Sequence, residues 1–127
     1  MKSPVEKVTG IGGVFLKSRD PEKTAAWYEQ HLGIPAPEGH ADFTWREKDS
    51  PEKIGRTVWS LFPNDTDYFG PSGSSCMINY RVENLERMLD QLRSANIVIH
   101  KVEDYDYGRF AWLSDPEGNR IELWEPK

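Results

Sequence analysis

The chain carries one pattern twice, about 64 residues apart, and that repeat limits the folds open to it. Each copy opens on a short strand, GGVFLK (12–17) and then CMINYRV (76–82). A capped helix follows each. Asp20 precedes Pro21 and Glu22, the signature of a helix start, and Gly33 is a natural stop. Asn84 caps the second helix, in which Leu85, Met88, Leu89 and Leu92 recur at helical spacing. Strands come next. ADFTWRE (41–47) and RTVWSLF (56–62) flank the turn KDSPEKIG. A strand over 97–102 precedes the loop EDYDYG, and RFAWLS (109–114) and RIELWE (120–125) then flank DPEGN. The letters echo too: Phe43-Thr44-Trp45 is followed by Asp49-Ser50-Pro51-Glu52, and Phe110-Ala111-Trp112 by Asp115-Pro116-Glu117. The period is too long for a solenoid, and neither copy can bury its sheet face alone. The expectation is an α+β fold in one domain, 1–127. Once short strands are allowed for in the regions of weak pattern, two βαβββ modules, about 11–63 and 76–126, pair about a pseudo-twofold axis and are joined by a linker over 64–75.

Composition excludes several functions. The formal charge is −5, so the chain lacks the basic footprint that phosphate backbones require, and no nucleic-acid partner is expected. Aromatics make up 12% of the residues, against the aromatic-poor composition of disordered chains. The single cysteine, Cys76, excludes an intrachain disulfide and a multi-cysteine zinc site. No apolar run approaches the about 20 residues that span a bilayer, and no leader-like segment stands at the start. A soluble, cytoplasmic protein without a membrane partner is expected. GIGG (10–13) leads into a strand rather than a helix, so it does not read as a phosphate loop.

Three stretches carry a resemblance. They are GVFLKSRDPEKTAAWYEQHLGI (13–34), YRVENLERMLDQLRSANI (80–97) and, most closely, YGRFAWLSDPEGNRIELWEP (107–126). Together they cover about half the chain and resemble the vicinal oxygen chelate superfamily, the group of glyoxalase I, bleomycin-resistance proteins and extradiol dioxygenases. The resemblance implies two modules whose curved sheets form a cup around a small-molecule site. It also implies a homodimer.

Metal-using members of that superfamily take His or Glu ligands from the first and last strands of each module. Here the first-strand positions fall on Gly13 and Met77. The last-strand positions fall on Glu122 and within 57–60, which holds no carboxylate. One of four usual ligands remains, short of the about three that a catalytic site needs. No metal site and no cofactor are therefore expected, although a divalent ion held by His40 or His100 with Glu122 stays open. On this placement, Gly13→His with Met77→His is predicted to create metal affinity.

Strand alternation selects the other candidates. Ile121 and Leu123 share one face of the last strand, and Glu122 and Trp124 the other. A carboxylate beside a Trp in a partly dry cup has the environment of a general base, so Glu122 is the candidate catalytic residue. Asn79 and Arg81 share a strand face and suit a polar or anionic ligand. Phe15, Trp59, Tyr107 and Trp124 are candidate ligand-binding aromatics. Tyr68, Phe69 and Tyr105 are candidate rims or lids.

Two main function classes follow. One is a metal-independent binder of a small aromatic or amphipathic molecule. The other is a lyase or isomerase-like enzyme using Glu122 as base or as ligand of a non-standard metal site. An interaction module whose aromatic strands form a protein interface is a third.

Overall fold

The helix caps form at the predicted residues. In the computed structural model, which describes residues 5–127, the Asp20 side chain accepts from the Lys23 N–H at 3.1 Å and opens α1 (Pro21–Leu32). Gly33 ends it in the left-handed region, at φ 71°, where a residue without Cβ is unstrained. Asn84 accepts from the Arg87 N–H at 3.0 Å and opens α2 (Leu85–Ser94). Around the helices run β1 (Val8–Ser18), β2 (His40–Arg46), β3 (Ile54–Pro63), β4 (Cys76–Val82), β5 (Lys101–Tyr105), β6 (Gly108–Ser114) and β7 (Arg120–Pro126).

The seven strands among the described residues form one sheet, in the order β2-β3-β1-β4-β7-β6-β5. At its centre β1 runs antiparallel to β4. Outward from that pair, β1 takes β3 as a parallel neighbour and β4 takes β7. The two halves are thus related about the β1–β4 seam, and they pair within the chain. The fold is α+β, a curled open sheet with both helices, as the repeat implied.

The first half departs from its expected strand count. It is βαββ, with no strand equivalent to β5. Pro35 and Pro37 lie in the stretch where that strand would fall, and proline cannot donate to a ladder. In the second half the strand expected over 97–102 begins only at Lys101 and takes in residues of the expected EDYDYG loop. Ile97 is spent on ending α2: its N–H bonds the Leu92 carbonyl at 3.0 Å, after Asn96 at φ 62°.

The helix-side face of the sheet holds two apolar clusters. Leu85, Met88 and Leu89 of α2 pack on Val82, Ala111, Leu113 and Leu123. Ala25 of α1 packs with Ala41, Trp59 and Leu61, and Tyr28 sets its ring 4.7 Å from that of Trp59. The opposite, concave face carries a third cluster of Phe15, Phe69, Met77, Phe110 and Trp112. Phe69 is fully buried, so the segment between the halves is a packed part of this face.

Candidate functional site

The concave face holds a cavity of about 640 Å³, and Glu122 lies at its floor. Side-chain alternation carries Glu122 inward because Leu123 and Ile121 turn to the α2 cluster. Its carboxylate is buried, at 1% exposure, and is met by three donors. Asn79 Nδ2 reaches Oε2 at 2.6 Å, and Trp112 Nε1 reaches Oε1 at 3.0 Å. The Tyr68 hydroxyl also donates to Oε1. Burial pushes the Glu122 carboxyl above its ordinary range, and the three hydrogen bonds pull partly against that shift. Burial, with Glu122 alongside, pushes the Tyr68 phenol up in turn.

The register across the sheet explains the neighbours. Asn79 of β4 pairs with Glu122 of β7, which pairs with Trp112 of β6. Tyr68 has no such origin. It comes from the segment after β3, stacks on Phe62 at 5.2 Å, and meets Phe15 and Trp112 edge-on at 6.3 Å. The sequence marks Tyr68 as a rim or lid, yet it reaches the floor. The available signal was an isolated Tyr-Phe pair within a Pro-, Gly- and Asp-rich linker.

The remaining candidates divide. Phe15, Asn79, Arg81, Tyr107 and Trp124 all line the cavity, with Gly12 and Phe110, which the sequence reading did not single out. Phe110 stacks on Trp124 at 6.0 Å and 4°. Tyr107 is exposed at the rim and stacks on Tyr105 at 5.4 Å. Gly12 permits close approach: a Cβ there would come 2.2 Å from Asn79 Oδ1 and 2.9 Å from Trp124 Cε3.

Trp59 is a correction. It pairs with Val14 and packs under α1 in the helix-side cluster, so it is not a wall of the cup. Both faces of β3 carry apolar side chains, and alternation alone did not say which one met a helix.

The arrangement does not fit a divalent metal. Phe15 pairs with Ser60 as Asn79 pairs with Glu122, which makes Ser60 the first-half counterpart of Glu122. The four quasi-equivalent positions are then Gly13, Ser60, Met77 and Glu122, with one carboxylate already engaged by three donors. The Phe15 ring covers Gly13: a Cβ there would stand 2.7 Å from Phe15 Cζ. A side chain placed at Gly13, as in Gly13→His with Met77→His, would first have to displace the Phe15 ring. Among the described residues no three His, Cys, Asp or Glu side chains cluster as a metal site. His100 bonds Ser114 at 3.0 Å, and the His31 ring stands 5.0 Å from that of Trp27. Burial raises the Cys76 thiol, so it lacks the depressed pKa of a nucleophile.

Comparison with known proteins agrees with this architecture. The family model described as Glyoxalase/Bleomycin resistance protein/Dioxygenase superfamily matches residues 10–123. Solved structures with the same fold include a methylmalonyl-CoA epimerase from Mycobacterium tuberculosis, 20% identical, with a TM-score of 0.63 over 99% of this chain and 93% of that one. A methylmalonyl-CoA epimerase in complex with methylmalonyl-CoA and NH4+ is 13% identical, with a TM-score of 0.66 over 94% and 96%. A superfamily member from Vibrio splendidus 12B01 is 12% identical, with a TM-score of 0.56 over 94% and 98%. No curated protein matches the chain. No helix among the described residues is long and apolar enough to cross a membrane.

Proposed function

The chain belongs to the Glyoxalase/Bleomycin resistance protein/Dioxygenase superfamily, and from that premise we propose that it binds a small, flat, aromatic or amphipathic molecule in its cup without a metal. The observation that carries this reading is the engagement of Glu122 by three protein donors beneath aromatic walls. A carboxylate so engaged organises a cavity. It fixes Tyr68, Asn79 and Trp112, and through them the position of Phe15 and Phe110. The cavity is of the size that drug-sized ligands fill, and Phe15, Phe110 and Trp124 give it apolar faces.

Isothermal titration with flat aromatic compounds tests the binding. The parent is expected to take up at least one class saturably at one molecule per chain, and Glu122→Gln to retain that class. Failure of every aromatic probe to bind refutes the reading.

The Tyr68–Glu122 contact favours a second reading, in which the pair moves a proton on a bound substrate as a metal-free lyase or isomerase would. Turnover abolished in Glu122→Gln, with binding intact, would establish it.

A further inference from the structure

Three cations line the cup, and they are not equivalent. Arg56 lies 3.8 Å from Asp42, and Lys127 is paired with Asp104. Arg81 has no ion-pair partner within 4.0 Å among the described residues. Its guanidinium is held by rings instead, with the Trp124 centroid at 5.1 Å and the Trp45 centroid at 5.6 Å. Trp45 is itself fixed, since its indole donates to Thr57 at 2.8 Å and lies against Gly10 and Gly55, where a Cβ would come within 2.4 and 2.3 Å of the ring. The Arg81 Nε–H is buried and meets no acceptor. A guanidinium seated on indoles, with its Nε–H unmet, is placed to receive a planar anion by its N–H groups.

We propose that Arg81 is the anchor for a carboxylate on the ligand, so that the cup selects flat aromatic monocarboxylates whose ring lies along Trp124 and Phe110. This rests on the small-molecule binding reading above and names the ligand class. Arg56 and Lys127, the other cations of the cup, are already paired, so a second negative charge would find no free cation and one carboxylate is favoured over a dianionic phosphate. The chain as a whole carries a net charge of −5, so a preference for an anion must arise locally.

A matched series tests it: 2-naphthoate, its methyl ester and 2-naphthylmethylamine, titrated into the full-length parent and Arg81→Gln. In the parent the carboxylate is expected to bind about tenfold tighter than the ester, and the amine weakest. In Arg81→Gln the carboxylate-to-ester ratio is expected to collapse to about one. Equal affinities in the parent, a preference for the amine, or an unchanged ratio in Arg81→Gln overturn the proposal while leaving small-molecule binding intact. If none of the three binds the parent, the binding reading fails and this proposal fails with it. Should Arg81→Gln not fold, judged by circular dichroism, Arg81→Lys serves. It keeps the charge but not the fork, and its ratio is expected between one and the parent value, with an unchanged ratio again overturning the proposal.

Discussion

Tyr68, in the segment that joins the two halves, donates its hydroxyl to Glu122 near the end of the second. The contact spans 54 positions of sequence and seats the connecting segment in the cup. Phe69 beside it is fully buried in the same concave-face cluster.

Removing that hydroxyl leaves Glu122 with two donors. Tyr68→Phe keeps the stack on Phe62, so the cost is that of one buried partner, about 1–3 kcal/mol. Urea unfolding of parent and variant measures it. An unchanged midpoint would mean that the bond does not stabilise the folded state.

Glu122 should leave a signature in the pH dependence of stability. Burial raises its folded pKa above the ordinary value of 4.5, so the folded state holds the proton more tightly than the unfolded state. That contribution is complete below the unfolded value and is lost as pH rises through the folded one. Melting temperatures of parent minus Glu122→Gln are therefore expected to fall as pH increases from about 4.5, then level off. A difference that rises over the same range would contradict the direction of the shift.

The Tyr68 phenol is raised as well, by burial first and Glu122 second. It is expected to remain protonated at pH 10, the ordinary value for a phenol. Ultraviolet titration of parent against Tyr68→Phe should show the same number of phenolates until the parent unfolds. One additional phenolate in the folded parent near pH 10 would refute this.

Phe15 stands between this cup and any ligand placed on Gly13. Gly13→His with Met77→His is expected to show no Ni²⁺ uptake beyond the parent. Adding Phe15→Ala to that pair is expected to yield measurable uptake by calorimetry, because three ligand-type groups with Glu122 then share an open space. Uptake by the double variant alone would show that the Phe15 ring gives way.

Two tryptophans should behave in opposite ways. Trp59→Ala empties the core under α1 and is expected to cost about 3–5 kcal/mol. Trp124→Ala removes a wall of the cup and should weaken any aromatic ligand more than Trp59→Phe does, read by titration. Equal losses of ligand affinity in Trp124→Ala and Trp59→Phe would place Trp59 in the site after all.

The repeat, both helix caps and the inward turn of Asn79, Arg81, Glu122 and Trp124 were legible in the sequence. Each depends on signals a few residues long: a capping side chain, a spacing of three and four, or an alternation of two. Trp59 was not legible, because β3 is apolar on both faces and alternation says only that Trp59 and Val58 point apart. The missing strand of the first half and the late start of β5 were settled by Pro35, Pro37 and the Ile97 bond that ends α2.

The sequence by itself determined the duplicated architecture and the family, and with them a cup that contains Glu122. Only the tertiary structure decided that Tyr68 completes the shell of that carboxylate, that Phe15 closes over Gly13, and that Arg81 rests on Trp45 and Trp124 with no ion pair within 4.0 Å among the described residues. The first and the last of those relationships join residues far apart in the chain. They depend on strand register and on the path of a connecting segment, which long-range packing sets and local residue preference does not.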